Sequence, residues 1–259
     1  SVKLTRGQFN VTSAITLSDE ISISGEGDGT YIVTTQAATA FGVISAVGSS
    51  GVYIKNVSVE NMMFDQTQQS AESKYVYMNY ADGYRITNVT VRNPISYNIL
   101  LEEVKNGMIV NNNIGNASSI TLADDCYGIY MTNQATSFSN IVQGNIVTGI
   151  KGDTITMGIG VDDVVSSHSI QVINNKISNV SVASGGVSVG LYEHGKYNTI
   201  SSNQIVGTTG TVAVGIYIAS SISTMCVNNY CYGNGSDTGL ANTNKDNFLD
   251  EGSDTQWAG

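Results

Sequence analysis

An internal repeat constrains this chain more than any other feature. Two apolar residues five positions apart recur as Ile54…Val59, Ile86…Val91, Ile109…Ile114, Ile141…Ile146, Val172…Ile177, Ile200…Ile205 and Cys226…Cys231, at intervals of 23 to 32 residues. Turn-forming residues stand between the members of each pair, with Asn112, Gly144, Asn175, Asn203 and Asn229 at one shared position. A second Asn follows at Asn61, Asn93, Asn116 and Asn179. A second apolar series, Val76, Ile99, Ile129, Ile159, Leu191 and Ile216, marches in step with the first, and Gly128, Gly158, Gly190 and Gly215 precede four of its members. Two strand series in step, separated by loops of varying length, describe stacked coils in which no coil can bury its inward face alone. Sandwiches and up-and-down barrels instead show hairpin turns every 8–12 residues and no unit of this length.

Composition agrees. Charged residues make up 12%, there is one proline (Pro94), and 28 glycines accompany abundant Asn, Ser and Thr. Such a chain favours short strands and tight turns over helices. The expected fold is all-β: one parallel β-helix over residues 1–259, with N-terminal coils at 1–50, regular coils at 51–233 and a C-terminal coil or cap at 234–259. The crossover rule for parallel strands makes it right-handed. A net charge of −10 repels a phosphate backbone and argues against a nucleic-acid partner. No apolar run approaches the ~20 residues of a membrane span, so membrane insertion is not expected. The start carries no signal-peptide pattern and reads as a mature protein or a piece of a longer one. Three cysteines do not make a disulfide framework; Cys226 and Cys231 read as buried thiols.

The opening stretch, Gly7-Gln8-Phe9-Asn10-Val11-Thr12, then Ile15-Thr16-Leu17 and Ile21-Ser22-Ile23-Ser24-Gly25-Glu26-Gly27, resembles the first coils of pectate-lyase-like β-helices. The closing run from Asn247 to Gln256 resembles the last coil of phage tail-spike and appendage members. The resemblance implies a polysaccharide partner, a homotrimer, and a place outside the cell or on the virion surface. It does not fix an activity, because this fold hosts lyases, hydrolases, epimerases and inert stalks.

Strand alternation sorts the second series into inward and outward positions. One outward column is Tyr77, Leu100, Tyr130, Gly160, Tyr192, Tyr217; the next is Asn79, Glu102, Thr132, Asp162, His194, Ala219. Tyr80, Glu103, Asn133 and Asp163 lie beside the latter. Aromatic rings offer platforms for sugar faces, and carboxylates and amides bind hydroxyls, so Tyr77, Tyr130, Tyr192, Tyr217, His194, Asp163 and Asn133 are candidate saccharide contacts. Glycoside hydrolysis needs two carboxyls, roughly 5–5.5 Å apart to retain configuration or 6.5–9.5 Å apart to invert it. Asp162 and Glu193 fall one coil apart, about 5 Å at the backbone, and Glu102 and Asp162 two coils apart, about 10 Å. Asp162 and Glu193 are therefore the first catalytic candidates, with Glu102 third. Glu193 has the inward parity, so its exposure requires the strand to end at Tyr192.

Asp124-Asp125-Cys126-Tyr127-Gly128-Ile129 resembles the D-D-C-x-x-[IV] run of polygalacturonases, whose aspartates activate water. The partner signatures are missing: Ser184-Gly185-Gly186-Val187 lacks a histidine, and no Arg-Ile-Lys occurs. Asp124 and Asp125 are thus second-rank candidates. A calcium-dependent lyase is disfavoured because Arg92-Asn93-Pro94-Ile95 supplies no second arginine; a lyase would have to use Lys105, Lys196 or Tyr197. No cofactor or metal is expected, since His168 and His194 fall in different columns and no Cys/His spacing fits zinc. The leading expectation is a tail-spike-type protein that hydrolyses a cell-surface polysaccharide. The alternatives are a non-catalytic receptor-binding or structural stalk, and a secreted microbial polysaccharide lyase or hydrolase.

Overall fold

The structure, a computed structural model, describes residues 1–34, 42–66, 74–93, 96–115, 125–132, 139–162, 169–182, 185–219, 223–234, 248–253 and 255–258. Asp124, Asn133, Asp163 and His168 lie outside them. Nine strands of the second series form one parallel sheet: Ile15–Leu17, Ile44–Val47, Lys74–Asn79, Tyr97–Glu102, Cys126–Thr132, Ile155–Asp162, Val187–His194, Val212–Ile218 and Phe248–Asp250. The first series forms a seventeen-stranded parallel sheet that folds along a corner. Arg85–Arg92 is a single strand, pairing through its first half with Met108–Val110 and through its second with Asn113–Gly115. From that coil onward each turn carries two short strands joined at the corner. No α-helix occurs among the described residues, and none of their helical segments is long and apolar enough to cross a membrane.

The core is a set of vertical apolar columns running between the two sheets. Ile86, Ile109, Val142, Val172, Ile200 and Cys226 stack in register, as do Phe64, Val91, Ile114, Val147, Ile177 and Ile205. All of these are buried, and each fully buried aliphatic side chain contributes roughly 1.5–3 kcal/mol. Two of the expected pairs are displaced. Val59 pairs with Ile86 and belongs with Phe64, not Ile54. In the fourth copy the inward pair is Val142…Val147, while Ile146 is 45% exposed.

The corner explains that one-residue shift. Asn111, Gly144, Asn174, Ser202 and Asn228 all have φ between 54° and 66°, a left-handed turn that asparagine and glycine tolerate. Gly144 fills this position, and Asn145, the residue after it, joins the buried ladder. Side-chain amides donate upward from Asn112 to Asn145 (2.9 Å), Asn145 to Asn175 (2.9 Å), Asn175 to Asn203 (3.0 Å) and Asn203 to Asn229 (3.0 Å). The second amide hydrogen goes to a carbonyl of the preceding coil, as from Asn112 to Ile86 (3.0 Å) and from Asn175 to Val142 (2.9 Å). Each side-chain oxygen also accepts a backbone N–H from the coil before. Every polar atom of a buried asparagine is thereby satisfied, which is the condition for burying it at all.

The opposite corner uses a different device at the same job. Tyr84, fully buried, extends across the next coil at Gly107, where an added Cβ would lie 2.0 Å from the ring, and donates to Asn140 (3.2 Å). Asn140 in turn accepts the Gly107 N–H (3.1 Å). All three cysteines are free thiols, and burial pushes each up to about 12.

Candidate functional site

The register of the nine-stranded sheet places the two expected outward columns together. Tyr77, Leu100, Tyr130, Gly160, Tyr192 and Tyr217 are stacked neighbours, and so are Asn79, Glu102, Thr132, Asp162 and His194. The residues between them, Met78, Leu101, Met131, Val161 and Ile218, are buried in the core.

Glu193 belongs with those inward residues. The strand runs on to His194, so alternation carries Glu193 into the interior, where it is 0% exposed. The expectation that the strand ends at Tyr192 is not met. Asn198 donates to one carboxylate oxygen (2.7 Å) and Thr224 to the other (3.2 Å). Glu193 and Asp162 thus occupy opposite faces of the sheet and do not converge on one substrate.

What does converge is a set of phenol–carboxylate contacts between successive rungs. Tyr77 donates to Glu102 (2.5 Å), Tyr130 to Asp162 (2.8 Å) and Tyr217 to Glu251 (2.7 Å). Asn79 also donates to Glu102 (3.3 Å), and His194 Nδ1 lies 3.3 Å from the second oxygen of Asp162. Asp162 therefore sits between a phenol from the rung below and an imidazole from the rung above, with its side chain 28% exposed. Burial, reinforced by the bonded carboxylates, raises the pKa of Tyr77 and Tyr130 above the ordinary phenol value and pushes Tyr217 up to about 12. Across the working pH range these phenols stay protonated and donate.

The gap that glycine leaves in the tyrosine stripe has a use. At Gly160 an added Cβ would meet the Tyr130 ring at 2.6 Å. The ring lies across the glycine, and this posture lets its hydroxyl reach Asp162 on the next rung. One ring face is then taken: Tyr130 stacks on Tyr127 (centroids 4.4 Å apart), and Tyr127 on Tyr97 (4.9 Å). Tyr192 is half-buried, edge-on to Tyr217 (5.5 Å) and to His194 (6.4 Å).

Strand alternation alone misses Tyr97 and Tyr127. The column Tyr75, Asn98, Gly128, Gly158, Gly190 faces inward although its successor column, Val76 to Leu191, is inward too. An added Cβ at Gly128, Gly158 or Gly190 would strike Val147, Ile177 or Ile205 of the opposite wall at 2.3–2.6 Å. The strand bends there, parity flips, and Lys74, Tyr97, Tyr127 and Met157 join the outward face. The glycines before the second strand series were the signal for this break. Glu251 was missed because it follows a strand of only three residues, Phe248–Asp250.

Asp125 is an anchor within the fold: one oxygen accepts the Ile155 N–H (2.9 Å), the other the Tyr127 hydroxyl (3.1 Å). At the early end of the face, Val47 stands in the column of Asn79 and Glu102. It borders a cleft of about 510 Å³ that Asp19, Gly48, Val52 and Tyr53 also line. Among the described residues no three His, Cys, Asp or Glu side chains gather as a metal site.

No protein-family model matches this chain, and no curated protein matches it by sequence. Its architecture does match solved structures. ORF18 of Geobacillus virus E2 superposes over 99% of this chain with a TM-score of 0.57 at 15% identity. The chain has the parallel β-helix fold. The expected parallel β-helix architecture thus holds, and this β-helix spans about half (53%) of the viral protein's length. The A-module of mannuronan C-5 epimerase AlgE4 from Azotobacter vinelandii aligns over all of the β-helix and 86% of its own chain (TM-score 0.42, 16% identity). DFA-IIIase from Arthrobacter chlorophenolicus A6, in complex with GF2, aligns over 88% and 76% (TM-score 0.49, 10% identity).

Proposed function

We propose that the outward face of the nine-stranded sheet binds a cell-surface polysaccharide and that Asp162, with Glu102, hydrolyses its glycosidic bonds. The observation that carries this reading is the Tyr130–Asp162–His194 cluster: three polar groups from three successive rungs meeting on one open surface. Asp162 has a phenol donor on one oxygen and an imidazole nitrogen beside the other, an arrangement suited to acid–base contact with a ligand. Glu102 lies two rungs away with Thr132 between, about 10 Å at the backbone. That spacing is near the upper end of the range for two carboxyls that invert configuration. Tyr192 and Tyr217 supply aromatic surface beside them. Asn133 and Asp163 adjoin this cluster in sequence and complete the proposed contact set. We read the protein as a tail-spike-type module at a virion surface or outside a cell, assembled as a homotrimer.

The test is reducing-end release from a panel of bacterial surface polysaccharides. Asp162→Asn and Glu102→Gln should each lower the rate by about 100-fold or more, the lower range for loss of an acid–base group. Release unchanged in both variants would overturn the assignment. A binding-only module is the second reading, favoured by one observation: both face carboxylates already accept a phenol hydrogen bond from a neighbouring rung. Binding without release from any substrate would select it.

A further inference from the structure

The distribution of positive charge carries a conclusion about the ligand, and it rests on the reading of this face as a polysaccharide-binding surface. The chain has 11 Lys and Arg. Among the described residues Lys74 is the one that lies on a strand of the nine-stranded sheet, and its ammonium sits over the rings of Tyr77 (5.3 Å) and Tyr97 (5.7 Å). Arg85, Arg92 and Lys176 belong to the seventeen-stranded sheet. Lys105 lies 3.6 Å from Asp82 and 3.9 Å from the centre of the Tyr53 ring.

The sequence around the centre of the face supplies little further positive charge. Residues 106–150 and 152–175 contain no Lys or Arg, and these segments hold everything that flanks Tyr130 and Asp162 in sequence. They do contain Asp124, Asp125, Asp153, Asp162 and Asp163. Around Tyr130 and Asp162 the sequence thus supplies carboxylates and, between Lys105 and Lys176, the single cation Lys151. The cations nearest to the centre of the face in sequence are Lys151, which belongs to a separate two-stranded sheet, and Lys196, two residues past His194.

Hydrogen bonding points the same way as charge. An ionised carboxylate only accepts hydrogen bonds. Glu102, Asp162 and Glu251 each receive one from a tyrosine of the chain and have lone pairs left over. A sugar hydroxyl can donate to those lone pairs. A uronate or sulfate group brings further acceptors and a like charge, and repulsion between like charges is strong at a half-buried surface. We infer that this face takes uncharged, hydroxyl-rich saccharide chains and excludes polyanionic ones.

Acidic bacterial polysaccharides, each paired with its own carboxyl-reduced form, separate charge from sugar shape. Binding would be measured by calorimetry in about 20 mM and in about 500 mM salt, which moves the screening length from roughly 20 Å to about 4 Å. At low salt the reduced form of the recognised polysaccharide should bind at least about ten-fold more tightly than its acidic parent. High salt should strengthen binding of the acidic parent, because screening removes a repulsion. Glu102→Gln with Asp162→Asn should narrow the difference. If an acidic parent binds as tightly as its reduced form, or weakens as salt is added, the inference fails while the saccharide face stands. If no polysaccharide binds in either form, the reading of the face fails and the inference goes with it.

Discussion

Along the corner at Asn112, Asn145, Asn175, Asn203 and Asn229 every coil repeats one residue, whereas along Asn79, Glu102, Thr132, Asp162 and His194 no residue occurs twice. Both columns have the same rung spacing and both are held by contacts between neighbouring coils. The difference lies in what each column must satisfy. The corner is buried, so each polar atom needs a partner supplied by the next copy of itself, and identity is the simplest way to guarantee one. The face is open to water, so its residues are free to differ, and a surface meant for an asymmetric ligand has to differ from rung to rung. Repetition marks where the fold is held, and its loss marks where a ligand could be read.

Glu193 is where the two kinds of column meet, and removing it should have the largest effect. It is a carboxylate between the apolar neighbours Val161 and Ile218 of its column, and Glu193→Ala strands the Asn198 amide and the Thr224 hydroxyl in the core. Leaving these two buried donors unsatisfied costs about 1–3 kcal/mol each, roughly 4 kcal/mol together. Urea denaturation of the variant should show a loss of that size. Glu193→Gln, which keeps one acceptor, should lose less and retain polysaccharide release. Release abolished in a folded Glu193→Gln protein would return Glu193 to the chemistry and sink the division drawn here.

Asn175→Ala breaks the corner without touching the face. It leaves the Asn145 N–H and amide and the Val142 carbonyl without their partners. At about 1–3 kcal/mol for a buried group left unsatisfied, partly relieved by relaxation, a loss near 3 kcal/mol is expected. Polysaccharide binding measured below the melting point should not change. A drop in affinity would show that corner and face are coupled.

The corner and core were legible because burial imposes a period, and a period survives in the letters of a sequence. The columns of the face were legible too, once one strand register was chosen, since Tyr77 to Tyr217 and Asn79 to His194 follow from alternation alone. Three things were not. Glu193 depends on where a strand ends: its exposure required an end at Tyr192, and the strand continues to His194. Tyr97 and Tyr127 depend on a bend that reverses parity at the glycine column. Asn145 depends on which of two adjacent turn residues takes a positive φ, and Gly144 suits that position better than the ladder.

Gly160→Ala sharpens the comparison from the other side, because it should disturb the face and spare the fold. A Cβ there would lie 2.6 Å from the Tyr130 ring, so the ring moves out to ordinary contact distance and the hydroxyl leaves Asp162. Stability should change by about 1 kcal/mol, since a half-exposed ring can move outward. Saccharide binding or release should fall about ten-fold. A variant that loses stability but keeps full activity would show that the phenol contact serves the fold and not the ligand.

The smallest effect is alkaline. Tyr31, which donates to Asp65 (2.6 Å) on the seventeen-stranded sheet, and Tyr217 on the face are both pushed up to about 12 by burial and by a bonded carboxylate. An unfolded tyrosine titrates near 10. A folded pKa above the unfolded one favours the native state fully below pH 10, and that contribution is lost as pH climbs toward 12. The three buried cysteines, also pushed up to about 12 from an ordinary value near 9, begin this loss earlier, so denaturation midpoints should fall from about pH 9 and more steeply between about 10 and 12. Absorbance of phenolate should lag behind that of a denatured control over the same interval. Tyr217→Phe tests whether the face takes part: removing its phenol should shift the lagging fraction by one tyrosine and leave the corner's contribution to stability untouched. A titration in which every tyrosine ionises near 10 in the native protein would dissolve the phenol–carboxylate contacts on which the distinction between face and corner depends.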